Sequence, residues 1–96
     1  MGNRETLNTI FGPSIFLLVL DLFVNNPDDL MNLREIARRV DKNPGSVSPI
    51  MPRLVERDML IQTKIGKVSY VYQLNSNNEI IQLLFEFNNK LQELQS

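Results

Sequence analysis

The sequence predicts a mainly α-helical fold with one small β-hairpin, and three features indicate this class. Apolar residues recur at helical spacing over two neighbouring segments, 33–40 and 47–54, which only a short polar stretch separates. Residues 60–74 then read as two short strands around a glycine, as in a β-hairpin. Residues 78–95 return to the helical period. A chain of 96 residues is large enough for a single hydrophobic core, so we expect residues 1–96 to form one domain.

Two short amphipathic helices with a tight turn are predicted within residues 33–57. Asn32 is placed to cap the first helix, with Glu35 closing a capping box, and Asn43 is placed to cap the second, with Pro44 in its first turn. Helices joined by so short a turn must cross steeply, which is the geometry of a helix-turn-helix. The apolar faces expected to pack inward are Leu33, Ile36, Ala37 and Val40 on the first helix, and Val47, Ile50, Met51 and Leu54 on the second.

The segments around this motif complete the expected architecture. A short helix is predicted over residues 4–11, ended by Gly12-Pro13, and a core helix over residues 13–25. The core helix is apolar almost all round and is therefore expected to be buried on both sides. Residues 31–33 can supply a short first strand, and the hairpin of residues 60–74 projects as a wing.

The last helix, residues 78–95, carries apolar residues at alternating spacings of four and three, the pattern of a coiled-coil seam. Because this helix follows a completed domain, we expect its seam to pack against a second copy of the chain. Packing on the helix of residues 13–25 is the alternative, and both arrangements can hold together. The expected dimer contacts are Phe16, Leu20 and Phe23 on the core helix, and Ile80, Leu84, Phe87, Leu91 and Leu94 on the last helix.

Charge is segregated along the chain although the net charge is only −1. Residues 1–33 carry −3, residues 34–67 carry +4 and residues 68–96 carry −2, so that eight of the ten basic residues lie in the helix-turn-helix and wing. A local positive field of this kind is what a surface that binds a polyanion needs, whatever the total charge. The simpler interpretation is a solvated surface with scattered charges.

The order of these segments, through LREIARRV, NPGSVSPIMPRLVERDMLI and IGKVSYVYQLN, resembles winged helix-turn-helix regulators of the ArsR and MarR type, especially compact archaeal ones. The resemblance covers residues 9–75 and implies a dimeric transcription factor that binds double-stranded DNA. Basic and hydroxyl side chains of the motif and wing are the expected DNA contacts: Arg34, Arg38, Arg39, Lys42, Ser46, Ser48, Arg53, Lys64 and Lys67. The chain has no cysteine or histidine, which sets it apart from the metal-sensing ArsR regulators.

The second helix of the motif departs from the family pattern. Pro49 and Pro52 remove two backbone donors inside it, so we expect a helix that starts late or bends. The prolines either stiffen and shorten the helix or present apolar rings to thymine methyl groups, whereas Arg53 is the best candidate for reading guanine. Asp58 stands where the family usually has glycine and must hold a left-handed conformation less easily.

The composition also excludes several functions. Without cysteine or histidine there are no disulfides, zinc fingers or thiol and imidazole catalysts, and the four glycines are too scattered for a phosphate-binding loop. We therefore expect no enzyme activity, no cofactor and no metal. The longest apolar run is about half a membrane span and contains an aspartate, so we expect no membrane association and a cytoplasmic location. The predicted function is a homodimeric, sequence-specific transcriptional regulator; the alternatives are a plasmid or viral partition protein on the same fold and a winged helix used only for protein–protein assembly.

Overall fold

A computed structural model describes Leu7, Ile10 and residues 14–95 of the chain. Within these residues the protein is mostly helical with one two-stranded antiparallel hairpin, which confirms the predicted fold class. The elements in chain order are α1 (Ile15–Asn25), α2 (Leu33–Arg39), α3 (Pro44–Val47), α4 (Ile50–Glu56), β1 (Leu60–Ile65), β2 (Ser69–Leu74) and α5 (Glu79–Gln95). Most of the helix expected over residues 4–11, and the Gly12-Pro13 that should end it, lie outside the described residues.

Helix α1 is the core helix, and the rest of the chain covers it. It begins at Ile15, where the hydroxyl of Ser14 accepts a hydrogen bond from the amide of Leu17 at 3.0 Å. Helices α2, α3 and α5 and strand β2 all contact it, as expected of a helix that is apolar on both sides. Leu20 and Phe23 are only 4% and 0% exposed. Their assignment to the dimer surface is therefore wrong, because both side chains pack inside the protomer.

The two caps of the helix-turn-helix form as predicted. The side chain of Asn32 accepts a hydrogen bond from the amide of Glu35 at 2.9 Å, and the side chain of Asn43 accepts one from the amide of Ser46 at 2.9 Å. Pro44 occupies the first turn of α3. The second half of the first capping box does not form, because the Glu35 carboxylate accepts hydrogen bonds from two arginines instead of reaching back to Asn32.

The predicted bend in the second helix of the motif is a break between α3 and α4. Ser48 and Pro49 keep helical backbone angles but belong to neither helix. Because Pro49 and Pro52 have no N–H, the regular ladder cannot continue, and the amide of Met51 donates to the carbonyl of Ser48, three residues back, at 3.3 Å. The inward face survives the break: Val47, Met51 and Leu54 are buried and Ile50 is half-buried.

Strands β1 and β2 form the wing in a regular register from Leu60 opposite Leu74 to Ile65 opposite Ser69. Gly66 has a φ of 71°, a value that glycine adopts without strain and that the turn requires. The predicted first strand is reduced to a single bridge, in which Met31 exchanges two backbone hydrogen bonds with Tyr72. Val68 lies in the turn and is exposed, and the second strand begins at Ser69.

Three asparagine and aspartate residues join the end of α4, the base of the wing and the start of α5. Asp58 has a φ of 58°, so it does hold the left-handed conformation expected at that position. Its carbonyl oxygen accepts hydrogen bonds from the side-chain amides of Asn75 and Asn78, at 2.8 and 2.9 Å. The side-chain oxygen of Asn78 caps α5 by accepting from the amides of Ile80 and Ile81, at 2.7 and 3.1 Å. Helix α5 therefore starts at Glu79, with Asn78 as its cap.

Helix α5 packs on α1 through a narrow face. Ile81 is fully buried, Leu84 and Phe85 are half-buried against the core, and Asn88 is 9% exposed. The side-chain oxygen of Asn88 is enclosed, and no described residue donates a hydrogen bond to it. Of the five residues expected in the seam, Ile80 and Leu94 project into solvent and Leu84, Phe87 and Leu91 are half-buried. Helix α5 therefore uses one face within the protomer and leaves a second apolar face open.

Candidate nucleic-acid interface

The basic side chains of the helix-turn-helix and wing all reach the surface. The exposed residues are Arg34, Arg38, Arg39, Lys42, Arg53, Arg57, Lys64 and Lys67. Four acidic residues lie in the same segment, at positions 35, 41, 56 and 58, which leaves the net charge of +4 calculated from the sequence. The number of available cations depends on which of these side chains already have partners.

Arg38 and Arg39 are engaged in an ion-pair network on α2. The Glu35 carboxylate accepts a hydrogen bond of 2.7 Å from each guanidinium, and Arg39 also contacts Asp29 at 3.1 Å. The hydrogen bonds from Arg38 and Arg39 hold the pKa of Glu35 below its ordinary value, and those to Glu35 and Asp29 raise the pKa of Arg39. Two arginines and two carboxylates thus cancel in charge, so this part of the predicted site is close to neutral.

Four of the other predicted cations have no such partner among residues 14–95. Arg34 lies in the first turn of α2, Lys42 in the turn before α3, and Lys64 and Lys67 near the tip of the wing. None of the four forms an ion pair with a described carboxylate. Lys64 stands opposite Tyr70 in the hairpin register. These four side chains are the ones most readily available to a polyanion.

The predicted hydroxyl contacts lie in α3 and at the break between α3 and α4. Ser46 is half-buried in α3, and Ser48 is exposed immediately before Pro49. The amides of both serines donate within the chain, to Asn43 and Pro44. Only the hydroxyl of Ser48 is well placed to meet a large external ligand.

Arg53 does not stand apart from the protomer as the sequence suggested. Its guanidinium carbon lies 4.8 Å from the centroid of the Phe16 ring, and that of Arg57 lies 5.7 Å from the same centroid. Both distances are those of cation–π contacts. The structure therefore brings together two residues that sequence reasoning assigned to different surfaces, Arg53 to DNA and Phe16 to the dimer. Arg57 was missed, although its spacing of four from Arg53 places both on one side of a helix.

An exposed apolar face on α5 forms a second surface. Ile80, Leu83 and Leu94 are 50%, 62% and 82% exposed, and Phe87 lies half-buried among them. Leu83 was not among the predicted dimer contacts, because strict four-three spacing passes through Leu84 instead. The sequence alone does not separate Leu83 from Leu84. Only the packing of α5 on α1 shows which of the two leucines stays exposed.

Other kinds of site find no support in the described part of the chain. Residues 14–95 contain no group of three or more acidic, histidine or cysteine side chains that could hold a metal ion. None of the described helices is both long enough and apolar enough to cross a membrane.

Helix-turn-helix, two-stranded wing and terminal helix together define a winged helix-turn-helix fold. Comparison with solved structures agrees with this class. A protein described as a possible transcriptional regulator from Methanosarcina mazei superposes with a TM-score of 0.64 and 21% identity, over 95% of this chain and 83% of that one. MepR, a transcription regulator of the Staphylococcus aureus multidrug efflux pump MepA, superposes with a TM-score of 0.65 and 11% identity, over 97% of this chain and 70% of that one.

These likenesses confirm the winged-helix architecture that the resemblance to ArsR and MarR regulators implied. Because the sequence identities are only 21% and 11%, these likenesses show the fold alone. No protein-family profile matches the sequence, and no curated protein matches it significantly.

Proposed function

We propose that this protein is a transcriptional regulator that binds double-stranded DNA through its helix-turn-helix and wing. The observation that carries the proposal is the coincidence of fold and charge. Four exposed basic side chains without described ion-pair partners, Arg34, Lys42, Lys64 and Lys67, lie on the elements that meet DNA in this architecture. Electrostatic contact of this kind supplies the sequence-independent part of DNA affinity.

In this proposal the elements of the site have different roles. Helices α3 and α4 enter the major groove, with Ser48 among the groups that approach the bases or phosphates. The lysines at the tip of the wing contact phosphates beside the groove. Arg38 and Arg39 contribute less than their charge suggests, because Glu35 and Asp29 neutralise them. Specific reading must then come from a short helix that is interrupted at Pro49.

One such helix reads only a few base pairs, and we propose that the active species is a homodimer. The open apolar face of α5 supports this proposal, because three large side chains there are at least half exposed in the protomer. Monomeric proteins seldom leave so continuous an apolar stripe in water. A two-fold dimer would place two recognition helices about one DNA turn apart, roughly 34 Å, on one face of the duplex.

Binding of a fluorescently labelled duplex of random sequence, followed by anisotropy over a range of salt concentrations, tests the DNA proposal. Lys67→Gln removes one positive charge at the wing tip, and Lys90→Gln removes the same charge from α5 as a matched control. If Lys67 contacts one phosphate, the slope of log affinity against log salt should fall by about 0.9 in the first variant and stay unchanged in the second.

Two other results would count against the proposal. Equal effects of Lys67→Gln and Lys90→Gln would mean that only overall charge matters and that the wing makes no contact. If the wild-type protein binds no duplex even at low salt, the fold serves protein–protein assembly instead. A role in DNA partition gives the same binding result, and the genes beside this one distinguish it from regulation.

A further inference from the structure

Two arginines and one aromatic ring form a cluster where α4 meets α1. Arg53 lies in the last turn of α4 and Arg57 directly follows that helix, so the two residues are separated by one helical turn. Phe16 lies in the first turn of α1 and is half-buried. Both guanidinium groups approach its ring, at 4.8 and 5.7 Å from the centroid. The ring is thus the common support of two long, flexible side chains that come from another element.

This cluster carries positive charge that the described chain does not neutralise. No described carboxylate lies within ion-pair distance of Arg53 or Arg57. The hydrogen bond from Arg57 goes to the backbone carbonyl of Arg53, at 3.3 Å, and leaves the other guanidinium donors available. Two like charges held side by side repel each other, so an anion placed between them is bound more strongly than either cation alone would bind it.

The direction of the cluster distinguishes it from a base-reading group. Met51 and Leu54 define the buried side of α4, and by helical spacing Arg53 lies on the opposite, exposed face together with Pro52 and Glu56. The guanidinium groups of Arg53 and Arg57 nevertheless reach sideways toward α1, because both lie over the Phe16 ring. A side chain on the flank of a helix that lies in the major groove meets the phosphates along the edge of the groove, whereas base edges face the outermost side of the helix.

We propose that Phe16, Arg53 and Arg57 form a phosphate clamp, in which the ring orders the two guanidinium groups before a DNA backbone phosphate arrives. The proposal rests on the proposed DNA binding and replaces guanine reading as the role of Arg53. Phe16 acts as a positioning residue, since it touches the arginines and not the DNA. Because the side chains are ordered in advance, the entropic cost of binding is lower.

The test compares Arg53→Gln, Arg57→Gln, Phe16→Leu and Phe16→Trp with the wild-type protein on two labelled duplexes. One duplex is selected from a random pool by the wild-type protein, and the other is its scrambled sequence. Each arginine variant should weaken binding, and the double variant Arg53→Gln/Arg57→Gln, which gives up the one clamped phosphate, should reduce the salt slope by about 0.9, so that raising the salt fourfold costs the wild type about 3.5-fold more affinity than the double variant. The loss should be the same on both duplexes. Phe16→Leu should weaken both, and Phe16→Trp should restore binding because indole is the better cation–π partner.

A nuclear magnetic resonance readout separates positioning from a general loss of structure. The Nε–H resonance of Arg53 should carry a ring-current shift in the free wild-type protein, which Phe16→Leu abolishes while the amide spectrum of the core is retained. If Arg53→Gln lowers the affinity only for the selected duplex, Arg53 reads a base and the clamp is refuted. Unchanged binding in Phe16→Leu and in both arginine variants would overturn it while leaving the proposed function intact. If the wild-type protein binds neither duplex, both the phosphate clamp and the proposed DNA binding are refuted.

Discussion

The sharpest prediction concerns Leu83, which lies at the centre of the open face of α5. Its side chain is 62% exposed in the protomer. Full burial of a leucine contributes about 1.5–3 kcal/mol, so covering the exposed part contributes about 1–2 kcal/mol per copy and about 2–4 kcal/mol in a symmetric dimer. Leu83→Ala should therefore raise the dimer dissociation constant on the order of 100-fold. The protomer itself should lose little stability, because the side chain is already mostly in water.

Analytical ultracentrifugation over a dilution series measures this change directly. Gln82→Ala, one position earlier on an exposed side of the same helix, is the control and should leave the association constant unaltered. The Leu83→Ala variant should also lose affinity for a two-fold symmetric duplex at protein concentrations where it is monomeric. A Leu83→Ala protein that associates as tightly as the wild type would show that this face is not the interface. A wild-type chain that stays monomeric at tens of micromolar would refute the dimer altogether.

Three further predictions concern single charges and single backbone positions. Glu35→Gln should strengthen binding to any duplex, because it releases Arg38 and Arg39, whereas Glu86→Gln on α5 should not. Hydrogen bonds from these arginines lower the pKa of Glu35. In the wild type, acid should therefore release the arginines only as the pH falls through that lowered pKa. Asn88→Leu removes an enclosed side-chain oxygen that accepts no hydrogen bond from residues 14–95, and should raise the free energy of unfolding by about 1 kcal/mol, or the melting temperature by about 4–8 °C, with Asn89→Leu as the exposed control. Asp58→Gly should raise the free energy of unfolding by up to about 1 kcal/mol and Asp58→Val should lower it by about 1–2 kcal/mol in chemical denaturation, because the φ of this residue is 58°.

Local signals in the sequence predicted the elements well. The helix caps at Asn32 and Asn43 follow from side chains that hydrogen-bond within three residues, so no tertiary information is needed to place them. The break between α3 and α4 follows equally from Pro49 and Pro52, because proline lacks the backbone N–H by its covalent structure. The wing followed from the alternation of residues and the glycine in its turn.

The assignments that failed depend on which neighbour a side chain meets. Leu20 and Phe23 have the same apolar character as a dimer surface, and only the fold shows that α2, α3, β2 and α5 cover their helix. Likewise, the ion pairs of Arg38 and Arg39 with Glu35 span only three and four residues, but the contact of Arg39 with Asp29, ten residues earlier, depends on the fold. The contact of Arg53 with Phe16 joins residues 37 positions apart, and no local pattern encodes it.

The hydrogen bonds of Asn78 have a mechanical consequence. One side chain both caps α5 and donates to the carbonyl oxygens of Arg57 and Asp58, which directly follow α4. The two helices therefore meet at a shared pivot and cannot rotate independently without breaking those bonds. Helix α5 has 17 residues and is about 25 Å long. A tilt of about 10° at this pivot corresponds to a displacement of about 4 Å at the far end of α5.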